Sequence, residues 1–250
     1  MSVRLQADSV TLDYPIYDAS ALSLRTSMFS YAVGGQLFRS RNIPVVRALS
    51  NVSLRLEDGD RLGLVGHNGS GKTTLLKTLA GILEPSSGRV QAYGPITSTI
   101  AFGAGLDTDA TGIQNVYKLA IIRGVSRREI TRSLDSIIEF SGLAQFAKLP
   151  VRTYSAGMTA RLIFAVTTAF DPQILIMDEW LGAGDADFMA QAQIRMQSFV
   201  DKASVLVLAS HNLHLIHTVC NKVCHMDNGQ VAFLGSTAEW LERQAQAQAA

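Results

Sequence analysis

Two cysteines in 250 residues, no excess of either charge sign and no long apolar run each remove a class of protein from consideration. Lysine and arginine total 22 against 21 aspartates and glutamates, and no extended basic run occurs, so nucleic acid is disfavoured as the main ligand. No stretch approaches the roughly 20 uninterrupted apolar residues that cross a bilayer. The N-terminal residues Met1-Ser2-Val3-Arg4-Leu5-Gln6-Ala7-Asp8 alternate like a strand and lack the apolar block of a signal peptide. The chain is expected to be cytosolic in topology, and if it works at a membrane something else must anchor it. Cys220 and Cys224 lie in a segment that also holds His211, His214, His217 and His225, which invites a zinc reading. Zinc sites pair their ligands as C-x₂₋₄-C and H-x₃₋₅-H. The cysteines match the first spacing, but no separate second pair stands at a matching distance, so reduced core thiols are the expectation. The length suits one ordinary domain, or a core with a small appended subdomain.

What is present is phosphate chemistry. Gly66-His67-Asn68-Gly69-Ser70-Gly71-Lys72-Thr73 fills every fixed position of G-x-x-x-x-G-K-[ST]. An apolar run, Leu62–Val65, precedes it, and a helix-like stretch beginning at Thr74 follows. Small residues let the loop curl so that successive N–H groups face one concavity, and the helix start adds unpaired N–H groups with partial positive charge. Lys72 can reach the terminal phosphates of a bound nucleotide, and the Thr73 hydroxyl can ligate Mg²⁺. Two more apolar runs end in polar residues: Ile174–Met177 leads to Asp178 and Glu179, and Val205–Ala209 leads to Ser210 and His211. Continuous apolar runs suit parallel strands buried on both faces, and such sheets bind ligands at the carboxyl ends of their strands. Three distant segments therefore converge on one place. Asp178 is suited to hold Mg²⁺ and Glu179 to orient and polarise the attacking water.

Between the phosphate loop and Asp178 the pattern is mostly helical, and a helical subdomain is expected over roughly 112–170. Ser126 and Glu129 form a capping box, and Ile130, Leu134, Ile137 and Ile138 make one apolar face. Gly142 suits the helix stop. The tail at 244–250 is low in complexity and reads as a frayed helix end.

Tyr154-Ser155-Ala156-Gly157-Met158, before Thr159-Ala160-Arg161-Leu162-Ile163-Phe164-Ala165, resembles the signature motif of ABC ATPases. The chain is similar to the nucleotide-binding subunit of an ABC transporter from around residue 3 to residue 242. Its signature departs from the common Leu-Ser-Gly-Gly-Gln and is similar to the variant of exporters of bacterial surface polysaccharides: O-antigen, capsule, galactan and teichoic acid. Gly63 to Gly69 and the run from Asp178 to Phe188 resemble that branch too. The resemblance implies an α/β fold with a P-loop core around a parallel sheet, an antiparallel β subdomain and a helical signature subdomain. It would occupy 1–243, with a longer insertion than usual at 15–45. It further implies two copies packed head to tail around two ATP molecules, with Ser155 and Gly157 of one copy covering the γ-phosphate held by the other. By the same resemblance Asp185 is the D-loop aspartate at the dimer interface, and His211 is the switch histidine that contacts γ-phosphate. The resemblance also implies a place for this chain at the cytoplasmic face of the bacterial inner membrane, held there by a separate membrane-spanning permease, with a lipid-linked polysaccharide as cargo. Branch members with a carbohydrate-binding extension are longer, so this chain is not expected to read the sugar chain end itself.

Two parts depart from the family pattern. The glutamine usual near Mg²⁺ is missing from the stretch Ile100 to Asp109, and the nearest, Gln114, should lie on a helix. The aromatic that stacks on adenine is Tyr14 by position, with Tyr17 as a rival. Within the insertion, Leu22, Leu24, Met28, Phe29 and Ala32 can line a short amphipathic helix with Arg25, Arg39 and Arg41 nearby. That helix suits either a membrane-side portal or the subunit's own surface. The rival functions are export of another cargo, a soluble ABC ATPase of translation or DNA repair, and a non-hydrolysing scaffold. One phosphate loop and one signature, with no heptads, argue against the soluble ATPase, and intact Lys72, Asp178, Glu179 and His211 argue against the scaffold.

Overall fold

The computed structural model describes residues 2–15, 36–40, 43–100, 103–179 and 186–249. The chain begins with strands β1 (Val3–Pro15), β2 (Gln36–Ser40), β3 (Ile43–Glu57) and β4 (Arg61–Val65), then helix α1 (Lys72–Leu79). Strands β5 (Ser87–Ala92) and β6 (Ile96–Ser98) lead to helices α2 (Gly112–Ile122), α3 (Arg127–Ser141) and α4 (Ala156–Thr167). Next come β7 (Ile174–Asp178), α5 (Ala186–Asp201), β8 (Val205–Ala209) and α6 (Leu213–Val219). The hairpin β9 (Lys222–Asp227) and β10 (Gln230–Ser236) precedes α7 (Thr237–Ala249). Two compact units result, one of Met1–Gly94, Ile176–Trp180 and Ser204–Ala250, the other of Pro95–Leu175 and Leu181–Ala203.

The first unit holds two sheets. One is antiparallel, in the order β2-β3-β1-β5. Leu5, Ala7, Val10 and Leu12 of β1 are buried, as are Leu49, Val52, Leu54 and Leu56 of β3. The step from 7 to 10 and that from 49 to 52 break the two-residue period of a strand. Register shifts fall there, with Ser9 at φ 47° and Asn51 at φ 54°. These bulges re-phase each strand, so its apolar side chains stay on one face. In the other sheet β4 runs parallel to both β8 and β9, with Leu64 opposite Ala209 and Cys224, and β10 closes it antiparallel to β9. Val205 to Ala209 are all buried, as are Leu62, Leu64 and Val65, the pattern of strands covered on both faces. The part of the insertion that is described is β2, which pairs with β3 from Gln36 opposite Arg47 to Ser40 opposite Ile43. Leu22, Leu24, Arg25, Met28, Phe29, Ala32 and Arg41 lie outside the described residues.

The second unit is built on α2, α3, α4 and α5. Val116, Leu119, Ile130, Ile137, Leu162 and Val166 form its core, with Leu134 partly buried against it. Three aromatic rings extend that core: Phe164 stacks on Phe140 with centroids 6.1 Å apart and meets Phe188 edge-on at 5.8 Å. Helix α3 starts at the Ser126–Glu129 capping box and stops at Gly142, whose φ of 68° is the left-handed conformation of a helix cap.

Candidate functional site

The phosphate loop is shaped by glycine where the backbone leaves no alternative. Gly66 has φ 145°, and a Cβ there would lie 2.3 Å from the Met226 carbonyl oxygen. Gly71 has φ 104°, and a Cβ there would meet the Ala48 carbonyl at 3.0 Å. The β9–β10 turn supports the loop from outside. The Gly229 N–H donates to the Ser70 carbonyl at 2.9 Å, and the Ser50 N–H donates to the Gly229 carbonyl at 2.9 Å. His67 Nε2 lies 3.1 Å from Asp227 Oδ1 on the same turn. Helix α1 then starts without a side-chain cap, unlike α2, α3, α4 and α6, which Thr111, Ser126, Ser155 and Asn212 cap. Its first N–H groups are left to a ligand. Lys72 is buried, with Nζ donating to the carbonyls of Gly66 at 2.7 Å and His67 at 2.9 Å. Burial pushes its ammonium below the ordinary lysine value, while Asp178 and Glu179 pull it back up.

The strand ends supply the other half. The Thr73 hydroxyl donates to Asp178 Oδ2 at 3.0 Å, so two hard oxygen donors sit side by side. Glu179, one residue beyond β7, has φ 72°, a rare conformation for a side chain of its size. Its N–H donates to the Ala209 carbonyl at 2.8 Å. Its carboxylate accepts from the Ser210 hydroxyl at 3.0 Å and from the His211 N–H at 3.1 Å, and His211 Nε2 stands 3.9 Å from Oε1. A cavity of about 250 Å³ joins these groups. Lys72, Thr73, Thr74, Asn68 and Gly69 line its floor, and Asp178, Glu179 and His211 line one side. Tyr14 lines it with Val46 and Ala48 of β3, and Tyr14 stands opposite Val46 in the sheet register. Val46 and Ala48 carry no motif of their own; what brings them here is the pairing of β3 with the end of β1. Tyr17, the rival aromatic, lies outside the described residues.

In the helical unit Ser155 caps α4, its Oγ accepting the Met158 N–H at 3.2 Å, and Ser155, Ala156 and Gly157 are exposed. Ala156 is an ordinary helical residue, and a Cβ at Gly157 would find only Ser155 Oγ, at 3.9 Å. Met158 packs against the helical core, and the Tyr154 hydroxyl donates to the Phe146 carbonyl at 2.8 Å. The segment before α2 is tied to the one before α4. The Val151 N–H donates to the Ala110 carbonyl at 3.0 Å and the Arg152 N–H to the Thr108 carbonyl at 2.8 Å. Asn115, fully buried, is the hub of this strap. Its Oδ1 accepts the Asp107 N–H at 2.8 Å, and its Nδ2 donates to the carbonyls of Asp107 at 2.8 Å, Thr111 at 3.0 Å and Ala110 at 3.3 Å. Gln114 spends its side chain on a capping box with Thr111. Asp185 lies outside the described residues. Cys220 and Cys224 are free and buried, which pushes both thiols up to about 12.

A profile of the ABC transporter family matches residues 49–182, more than half of the chain. The chain belongs to the ABC transporter family. Within it the chain is 41% identical over 224 residues to the O-antigen export system ATP-binding protein RfbE of Yersinia enterocolitica, covering 89% of this chain and 94% of that one. It is 33% identical to the O-antigen export system ATP-binding protein RfbB of Klebsiella pneumoniae over 249 residues, the full length of both. A solved ATP-binding subunit of an ABC transporter superposes with a TM-score of 0.69 over 99% of this chain and 95% of that one, at 19% identity. The fold is that of an ABC ATPase, a P-loop core with a parallel sheet, an antiparallel sheet and a helical unit that carries the signature.

Proposed function

We propose that this chain is the ATP-binding and ATP-hydrolysing subunit of an exporter that moves lipid-linked surface polysaccharide of the O-antigen class out across the cytoplasmic membrane. As a member of the ABC transporter family it is an ATPase coupled to transport. The observation that carries the reading is the convergence of Lys72, Thr73, Asp178, Glu179 and His211 on one cavity. Its donor set fits a nucleoside triphosphate with Mg²⁺. The uncapped start of α1 offers N–H groups to phosphate oxygens, and Lys72 would exchange its two carbonyl partners for them. Gly66, His67, Asn68, Gly69, Ser70 and Gly71 shape the cradle. Tyr14, with Val46 and Ala48, offers the apolar surface for the base. Thr73 and Asp178 would hold Mg²⁺, which when bound neutralises phosphate charge. Glu179 orients the attacking water and accepts its proton, and His211 faces the γ-phosphate.

The signature is assigned to the second copy's nucleotide. Ser155 and Gly157 sit exposed at a helix start, where a hydroxyl and an N–H can meet phosphate across a head-to-tail pair. Asp185 is assigned to the interface of that pair. Among the described residues no helix is long and apolar enough to cross a membrane. Attachment to the cytoplasmic face is therefore assigned to a separate permease subunit. The cargo reading rests on the names of the relatives and on the Tyr154–Met158 form of the signature. The test is replacement of the native chain by Glu179→Gln in its host. Lipid-linked polysaccharide should build up on the cytoplasmic side while surface polysaccharide falls. Unchanged surface glycan, with the variant expressed and binding ATP, would overturn the cargo and leave the ATPase in place.

A further inference from the structure

We infer that Ser210 is a positioning residue for hydrolysis, holding the Glu179 carboxylate in the one orientation from which it can aim a water. The inference rests on the ATPase reading above and adds to it a residue that acts through the Glu179 carboxylate.

Glu179 sits where its backbone is strained. At φ 72° a residue with a Cβ is in the left-handed region, which persists only when the surroundings over-determine it. Here three consecutive residues at the end of β8 and just beyond it do so. Ala209 takes the Glu179 N–H at 2.8 Å, the Ser210 hydroxyl donates to Oε2 at 3.0 Å, and the His211 N–H donates to Oε1 at 3.1 Å. Both carboxylate oxygens are thus held, one by a backbone N–H that only proline would remove and one by a side chain that many substitutions remove.

Ser210 is built for this and little else. It is 4% exposed, so water cannot replace its hydroxyl cheaply. Its Oγ also accepts the Asn212 N–H at 3.1 Å. With a lone pair engaged there, its proton is directed at Glu179. Asn212 in turn caps α6 through the Leu215 N–H at 3.2 Å, so the hydroxyl is referenced to a helix rather than to a free loop. A carboxylate held by one donor can rotate about its terminal torsion, whose energy well is broad. Held by two, it presents its remaining lone pairs in a fixed direction, and positioning of this kind is realised in turnover rather than in substrate affinity.

The test compares wild type, Ser210→Ala, Ser210→Thr, Glu179→Gln and the Ser210→Ala/Glu179→Gln pair as purified full chains with MgATP. Nucleotide affinity, turnover and thermal midpoint are measured for each. Ser210→Ala should lower kcat by about 10- to 100-fold with ATP affinity within about twofold and the midpoint nearly unchanged. Ser210→Thr, which keeps the hydroxyl, should restore most of the rate. In single turnover the pair should be no slower than Glu179→Gln alone, since the hydroxyl acts through that carboxylate. Wild-type kcat in Ser210→Ala, a loss carried entirely by weaker ATP binding, or full additivity in the pair would each overturn the assignment. Should Ser210→Ala unfold, Ser210→Thr still decides: a folded Thr variant as slow as Glu179→Gln would overturn the assignment, and one near the wild-type rate would support it. A wild-type chain that binds ATP without hydrolysing it would instead bring down the ATPase reading, and this assignment with it.

Discussion

The two units hold their functional atoms by different means. In the unit with the phosphate loop, side chains from separate strand ends and one helix start meet at a cavity, and each contributes one or two atoms. Lys72, Thr73, Asp178 and Glu179 are linked there by bonds of 2.7 to 3.1 Å to each other or to the loops beside them. In the helical unit, the exposed start of α4 is set by backbone bonds between residues 108–110 and 151–152, with Asn115 as their buried hub. The first arrangement is vulnerable to chemistry and tolerant in folding. The second is the reverse, because removing the hub leaves backbone groups unpaired.

The sharpest way to break the contrast is Glu179→Gln. The amide keeps the shape, and its one oxygen can take either the Ser210 hydroxyl or the His211 N–H, but it cannot accept a proton. Turnover is expected to fall roughly a thousandfold, with ATP binding and the unfolding midpoint within error of wild type. A phosphate-release assay beside nucleotide binding checks this. A large fall in stability would mean that the strand-end site carries structural weight as the helical strap does.

Asn115→Ala should do the opposite. It strips one acceptor and three donor contacts from a fully buried site, and about 3 kcal/mol of stability should go with them. Urea unfolding measures the loss. ATP affinity of the isolated chain should hold, because no strand-end residue is touched, while hydrolysis should drop as Ser155 loses its reference. Asn115→Asp, which keeps the acceptor for the Asp107 N–H and loses the donors, should not rescue. Stability within about 0.5 kcal/mol of wild type would remove Asn115 as hub.

These two residues also mark what could be read from the sequence. Asp178 and Glu179 stand at the end of a continuous apolar run, and such runs announce buried parallel strands whose ends face a ligand. The same logic placed Lys72 and His211. The Ser126–Glu129 capping box was legible because its spacing is its mechanism. Asn115 was not, since a lone polar residue on an amphipathic helix looks like an outward-facing one until the loop it supports is in place. Nor was Ser210, whose role needs the distance to a residue 31 positions away. Gln114, the only glutamine near the place where the family carries one, turns out to belong to the Thr111 cap, and local capping accounts for it without any contact to nucleotide. The bulges at Ser9 and Asn51 escaped for a related reason: they interrupt the alternation by which a strand is recognised.

Gly157 gives a smaller effect and a cleaner discrimination. A methyl group there meets open space within the subunit, its nearest neighbour being Ser155 Oγ at 3.9 Å. Gly157→Ala should therefore leave the fold intact and add about 0.5 to 1 kcal/mol through helix propensity. Across a head-to-tail pair the same methyl would stand between an N–H and the phosphate, and hydrolysis should fall about tenfold or more. A variant that is both more stable and slower would locate the function of this glycine outside its own subunit. Equal activity would remove the signature from the second copy's nucleotide.

The smallest effect expected near neutrality concerns the thiols, and it again separates the units. Both cysteines lie in the unit that holds the phosphate-loop motif. Burial holds their protons to about 12, against 9.0 for an unperturbed thiol. Their contribution to stability is whole below pH 9.0, and it is lost as pH rises toward about 12, because the unfolded chain releases these protons first. Nothing should change between pH 7 and 8, and maleimide should label the folded chain slowly there, since the thiolate is the nucleophile. Between pH 9 and 11 the wild-type midpoint should fall more steeply than that of Cys220→Ala/Cys224→Ala, and amide exchange should quicken in β8 and β9 before it does in α3. Equal slopes would mean that other groups set the alkaline limit. Early exchange in α3 would place the weaker unit on the helical side, where the strap at Asn115 rather than any thiol would be the first contact to yield.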